Sequence, residues 1–285
     1  MTIPRKHGLL VFLIASFGFS WGLWALMILS QRGLLPFTVP THWSGSFGPA
    51  VGGIAAVAWT EGGAGLRSLF RRFLLWRAGA GVWLLALLGI VVAYTVALAV
   101  FALLHGRTPA VAAYTQWLTL LAYAGIILVI GGPLGEEIGW RGFLQPYLQA
   151  RMAPFWASCV IAAVWVAWHV PLVWLEGSAQ KGESILAFAL LVLPLTFVFT
   201  WVFNAANGSL LLPLVLHTSI NTVSYLVVPQ VLGTLAENAV LTRCFTGVLW
   251  AAAIVLVWRF RRRFFATAVP AAAAPPAWGC ASPPD

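Results

Sequence analysis

Acidic side chains are nearly missing from this sequence. There are seven in 285 residues: Glu61, Glu136, Glu137, Glu176, Glu183, Glu237 and Asp285. The only aspartate is the last residue, which excludes hydrolysis by a pair of membrane-embedded aspartates. Cysteine is equally scarce. Cys159, Cys244 and Cys280 lie far apart with no paired spacing, so neither a disulfide framework nor a cysteine metal site is indicated. Charged residues of both signs make up 8% of the chain against 61% hydrophobic, with a mean hydropathy of +0.92. That balance lies outside the range of soluble globular domains. The short-range alternation of a transmembrane barrel is absent too.

What is present in place of charge is a series of apolar runs of the length that spans a bilayer. They fall near 8–30, 46–60, 80–104, 116–133, 155–175, 184–204, 209–228 and 241–258. The expectation is an all-α polytopic membrane bundle of about eight transmembrane helices. The first run is expected to be a span rather than a signal core, being too long for one. The cations sort by loop. Arg5, Lys6, Arg67, Arg71, Arg72, Arg77, Arg141, Arg151, Arg259, Arg261, Arg262 and Arg263 fall on one side, and Arg32, Arg107, Lys181 and Arg243 on the other. By the positive-inside rule this puts both termini in the cytoplasm and supports an even number of spans. It also makes anionic lipid at the basic inner loops, rather than nucleic acid, the expected partner of the net charge of +9. Arg67 to Arg77, rich in aromatics, reads as an interfacial helix. Residues 1–268 form one membrane unit, and the Ala/Pro-rich 269–285 is expected to be a disordered cytoplasmic tail.

Against this background Gly135-Glu136-Glu137-Ile138-Gly139-Trp140-Arg141 stands out, because ionisable groups at membrane depth need partners. Gly131-Gly132-Pro133 precedes it. Proline suits the first turn of a helix, so a new segment is expected to start there, with both glutamates near the positive end of its dipole. Without a bend, 116–150 would extend roughly 52 Å and exceed the bilayer. Glu137 and Arg141 are i and i+4 and can form a structural ion pair, which leaves Glu136, about 100° further round, available as a base.

His7, His42 and His105 sit at span ends or in loops. His169 and His217 lie inside apolar runs. Each alone could be interhelical glue. However, His217 and Asn221 share one helical face at i and i+4. With Glu136 and His169 they supply a base, a proton-handling imidazole and donors for an oxyanion, the set that hydrolysis of an amide by water requires. No Gly-x-Ser-Gly nucleophile and no His-Glu-x-x-His zinc helix competes with this reading.

Glu136-Glu137-x-x-x-Arg141-Gly142, Trp165-x-x-x-His169, Phe197-x-x-x-Trp201 and His217-x-x-x-Asn221-Thr222 together resemble the CPBP family of intramembrane proteases. That family includes the CAAX prenyl endopeptidase and the Abi and bacteriocin-processing proteins. The resemblance covers residues 116–228, and Phe47-Gly48-Pro49 also looks like a family feature. One departure is Trp165, where the family usually has phenylalanine. The resemblance implies an integral membrane endopeptidase, in a bacterial plasma membrane, with its cavity open to the cytoplasm. It implies Glu136 as activator of water, His169 as its assistant, and His217 with Asn221 at the oxyanion. It leaves two chemistries open: zinc held by His169, His217 and Glu136, or a metal-free glutamate–histidine pair. The substrate would be a peptide or protein, either a prenylated C-terminus or a peptide-toxin precursor. Two other readings are a non-proteolytic peptide- or partner-binding (immunity-type) member and a proton-coupled transporter.

Overall fold

The computed structural model describes residues 7–37, 42–106, 117–224 and 235–266. The expected tail at 269–285 lies outside the described residues. Every described regular element is helical. In order these are α1 (Gly8–Gln31), α2 (Gly48–Arg71), α3 (Ala80–His105), α4 (Trp117–Ile130), α5 (Pro133–Gly139), α6 (Gln145–Gln149), α7 (Pro154–His169), α8 (Ile185–Ala205), α9 (Leu211–Thr222) and α10 (Leu235–Arg259).

Five helical stretches are long and apolar enough to cross a membrane: Gly8–Gln31, Ala80–His105, Pro154–Trp174, Ile185–Ala205 and Ala239–Arg259. A sixth arises if Leu121–Ile130 and Pro133–Gln149, bent by 43°, are one span. The protein is therefore a polytopic helical membrane protein. Among the described residues the count is thus five or six, and eight is not confirmed. Helix α2 is broken at Gly62, whose φ of 64° and ψ of −156° no helix contains and few other residues adopt. Helix α9 is described over Leu211–Thr222, and part of the expected span at 209–228 lies outside the described residues.

The site is carried on α5, and small residues let it lie against α2. A side-chain carbon added to Gly135 would come within 2.5 Å of the Ser46 carbonyl, and one on Gly139 would overlap the Pro49 carbonyl. On a neighbouring face of α2, Gly48 and Gly52 meet Ser20 and Ser16 of α1 in the same way. Three helices are thus stacked through two small-xxx-small ridges, the contact that membrane helices use where lipid provides no hydrophobic drive. Gly139→Ala is expected to lower stability by about 1–3 kcal/mol through overpacking. Thermal unfolding in detergent should show this, whereas Gly18→Ala, with open space around it, should leave the midpoint unchanged.

After α5 the helix widens into a π turn over Trp140–Leu144 before α6. A π turn breaks the usual ladder and occurs often at functional sites. Here Arg72 serves it. Its Nη2 and Nη1 donate to the carbonyls of Arg141 and Gly142 at 2.8 and 2.9 Å, and its Nε to Gly208 at 2.8 Å. This ties the end of α2 to the motif helix and to the α8–α9 turn. Burial lowers the Arg72 pKa to about 10, opposed by the charge of Glu61, so it stays cationic at neutral pH. Of the stretch Arg67–Arg77, the part to Leu74 is helical, following the break at Gly62, and Arg72 within it turns inward. Two of the cations assigned to inner loops, Arg72 and Arg141, are buried in protein, so they do not face lipid.

Candidate active site

Gly132 starts the site. Its φ of 108° is accessible to glycine, and it turns the chain from α4 into α5 with Pro133 in the first helical turn. A side-chain carbon there would lie 2.9 Å from Glu136 Oε1 and 3.7 Å from Asn221 Nδ2, so the bare backbone also gives these two groups room. Bend and motif register together bring Glu136 to the level of the histidines, which the sequence left undetermined.

Glu137 and Arg141 form the expected pair. Arg141 Nη1 donates to Glu137 Oε1 at 2.9 Å, with both side chains fully buried. The guanidinium also sits over the Phe199 ring at 4.1 Å and the Trp165 ring at 5.0 Å, which suits its weak hydration. Glu137 has a second partner that the spacing did not reveal: His217 Nδ1–H donates to the same Oε1 at 2.7 Å. That bond sets the His217 ring and leaves Nε2 facing Glu136 Oε1 at 4.0 Å. The expected donor edge of His217 and Asn221 is therefore altered. His217 Nδ1–H is already taken up by Glu137, so only Nε2, when protonated, can donate to a substrate. Asn221 is half-buried, and its Nδ2 donates to the Gly131 carbonyl at 3.2 Å.

His169 ends α7. Its Nδ1 lies 2.8 Å from the Trp165 carbonyl, which can only accept, so Nδ1 carries the proton and the neutral ring offers Nε2 as a base. Trp168 and Phe188 pack against it with centroids 4.7 and 4.8 Å away. Glu136 itself is buried, at 5% exposure. Its Oε2 accepts from Trp165 Nε1 at 2.7 Å and lies 3.4 Å from Trp140 Nε1. Sequence reasoning missed both indoles. The available signal was that Trp140 is i+4 from Glu136 and that Trp165 stands one turn before His169.

The suggested zinc set of Glu136, His169 and His217 does not hold together as a coordination group. Among the described residues no three His, Cys, Asp or Glu side chains converge as metal ligands. Glu136 Oε2 accepts from indole N–H groups, while Oε1 lies 4.0 Å from His217 Nε2. Two ionisable clusters meet here instead. Glu137, Arg141 and His217 form one buried charged network, and Glu136 with Nε2 of His169 and of His217 forms the other.

These features define a polytopic helical membrane protein with a buried acid–imidazole site between α5, α7 and α9. Residues 116–223 match the family described as Type II CAAX prenyl endopeptidase Rce1-like. The chain is also similar to "CAAX prenyl protease 2" of Methanococcus maripaludis, with 31% identity over 136 residues, 46% of this chain and 47% of the relative. The chain thus matches about half the length of that relative.

Proposed function

We propose that this chain is an intramembrane endopeptidase that hydrolyses peptide bonds with water activated by Glu136. The observation that carries the reading is the convergence of Glu136 Oε1 with His217 Nε2, 4.0 Å apart in a buried site whose other carboxylate is neutralised by Arg141. A water placed between Glu136 Oε1 and a bound peptide carbonyl loses its proton to the carboxylate as its oxygen attacks the carbonyl carbon. Asn221 Nδ2 and protonated His217 Nε2 are the donors available to the oxyanion. His217 can carry that charge because Glu137 sits behind Nδ1, as a carboxylate steadies an imidazolium in hydrolytic triads. The proton held by Glu136 then passes to the leaving amine, the C–N bond breaks, and the carboxylate is regenerated. His169 Nε2 is the second base within electrostatic reach of Glu136 and takes part in moving that proton. No step runs through a metal.

The proposed substrate class follows the matched family and the similar CAAX prenyl protease: a C-terminal prenylated CAAX peptide, with peptide-toxin precursors as the alternative. The exposed cations, Arg67, Arg71, Arg77 and the Arg259–Arg263 group, are proposed to rest on anionic lipid at the cytoplasmic face. The test is cleavage by detergent-purified protein of a quenched farnesylated CAAX peptide and its unprenylated counterpart, with products identified by mass. Cleavage favouring the farnesylated peptide and persisting after chelation is expected. No cleavage of either peptide would reject the endopeptidase reading in favour of a peptide-binding membrane protein, and zinc-restorable loss on chelation would reject the metal-free steps.

A further inference from the structure

We infer that Trp165 is a positioning residue, whose indole N–H restricts Glu136 to a single working oxygen. The inference rests on the hydrolytic reading of Glu136 given above. A glutamate's terminal torsion is broad, so an unrestrained carboxylate presents either oxygen in many orientations. At Glu136 this freedom is removed. Trp165 Nε1 donates to Oε2 at 2.7 Å, and Trp140 Nε1 stands at 3.4 Å from the same atom. An indole nitrogen donates only, so it cannot exchange roles with a water or a substrate group. Oε1 is left as the oxygen directed at His217 Nε2 and the space beside Gly132.

The indole can act as a fixed point because it is itself held. Its ring is 5% exposed and packs edge-on against Phe199 at 5.8 Å and His217 at 5.6 Å, with the Arg141 guanidinium 5.0 Å above it. The backbone of the same residue performs a second task, since its carbonyl takes the Nδ1 proton of His169 and so turns Nε2 into the free nitrogen. One residue thus selects the working atom of both proton-handling groups, through its side chain for one and its main chain for the other. Phenylalanine, which the family resemblance expects here, would retain the second function and lack the first. Positioning of this kind matters because a misplacement of about 1 Å can cost on the order of a hundredfold in rate.

Trp165→Phe keeps the aromatic packing and the carbonyl while deleting the N–H. Its expected effect on cleavage of the farnesylated CAAX peptide is a fall in kcat of about ten- to a hundredfold with KM within about twofold. The unfolding midpoint in detergent should stay near wild type. Trp140→Phe, removing the longer contact, should lower kcat less. A readout independent of catalysis is the indole 15N–1H spectrum, in which the resonance lost in Trp165→Phe should lie far downfield and move upfield in Glu136→Gln. An ordinary indole shift insensitive to Glu136→Gln, or an unchanged kcat in Trp165→Phe, would overturn the proposal. A downfield, Glu136-sensitive resonance in a chain that cleaves neither peptide would support the contact and overturn the hydrolytic reading on which its catalytic use depends.

Discussion

Glu136→Gln is expected to lower kcat by about 10²–10⁴-fold, the usual worth of a positioned general base, with little change in KM. The substitution is nearly isosteric, and the glutamine carbonyl can still accept the Trp165 indole N–H, so the local packing of α5 against α7 is preserved. What is lost is the anionic oxygen directed at His217 Nε2 and at the space beside Gly132, where the water would be deprotonated. Progress curves on the quenched peptide measure the effect, with the unfolding midpoint as the control for integrity. A Glu136→Gln protein cleaving within about twofold of wild type would remove Glu136 from the reaction and with it the proposed mechanism.

Arg141→Ala should be the most damaging single change to stability, costing about 3–5 kcal/mol, the typical penalty for leaving one partner of a buried ion pair behind. Both side chains are 0% exposed, and of its two side-chain partners Glu137 would keep only His217. The loss also empties the space over the Phe199 and Trp165 rings that the guanidinium fills. Arg141→Lys is expected to recover only part, because an ammonium lacks the flat, weakly hydrated surface that stacks on rings. Removing both charges, as in Glu137→Gln with Arg141→Met, should be markedly milder than Arg141→Ala alone, since the uncompensated charge is then absent. Unfolding in mixed sodium dodecyl sulfate and dodecyl maltoside micelles, followed by tryptophan fluorescence, tests this. An Arg141→Ala protein as stable as wild type would show that Glu137 does not depend on that charge.

The two predictions separate the two glutamates by function, and the separation was partly readable in advance. Positions i and i+4 on a helix face each other, so the Glu137–Arg141 pair and the freedom of Glu136 follow from spacing alone. The break before them was legible for the same reason, since Gly-Gly-Pro cannot continue a helix. The other partners of Glu136 and Glu137 were not. His217 is 80 positions from Glu137 and Trp165 is 29 from Glu136, separations on which helical periodicity carries no information. Arg72 makes the same point from the outside. In the chain it is one basic residue among several near a membrane surface, yet in the fold it caps a π turn 69 and 70 positions away. Nor did hydropathy foretell the break in α2, where Gly62 takes a φ of 64°.

By itself the sequence determined the solvent, the helical class and which ionisable groups lie within the apolar runs, because each depends on composition or on neighbours within a turn or two. Apolar runs can satisfy their backbone in lipid only as helices, and a scarce charge within them must have a partner. Only the tertiary structure decided which oxygen of Glu136 is free, that His217 lends its Nδ1 proton to Glu137, and that the three candidate metal ligands do not converge. Those outcomes depend on how closely α2, α5, α7 and α9 approach through their glycines, and distances of this kind are set by packing between helices that the order of residues along any one of them does not contain.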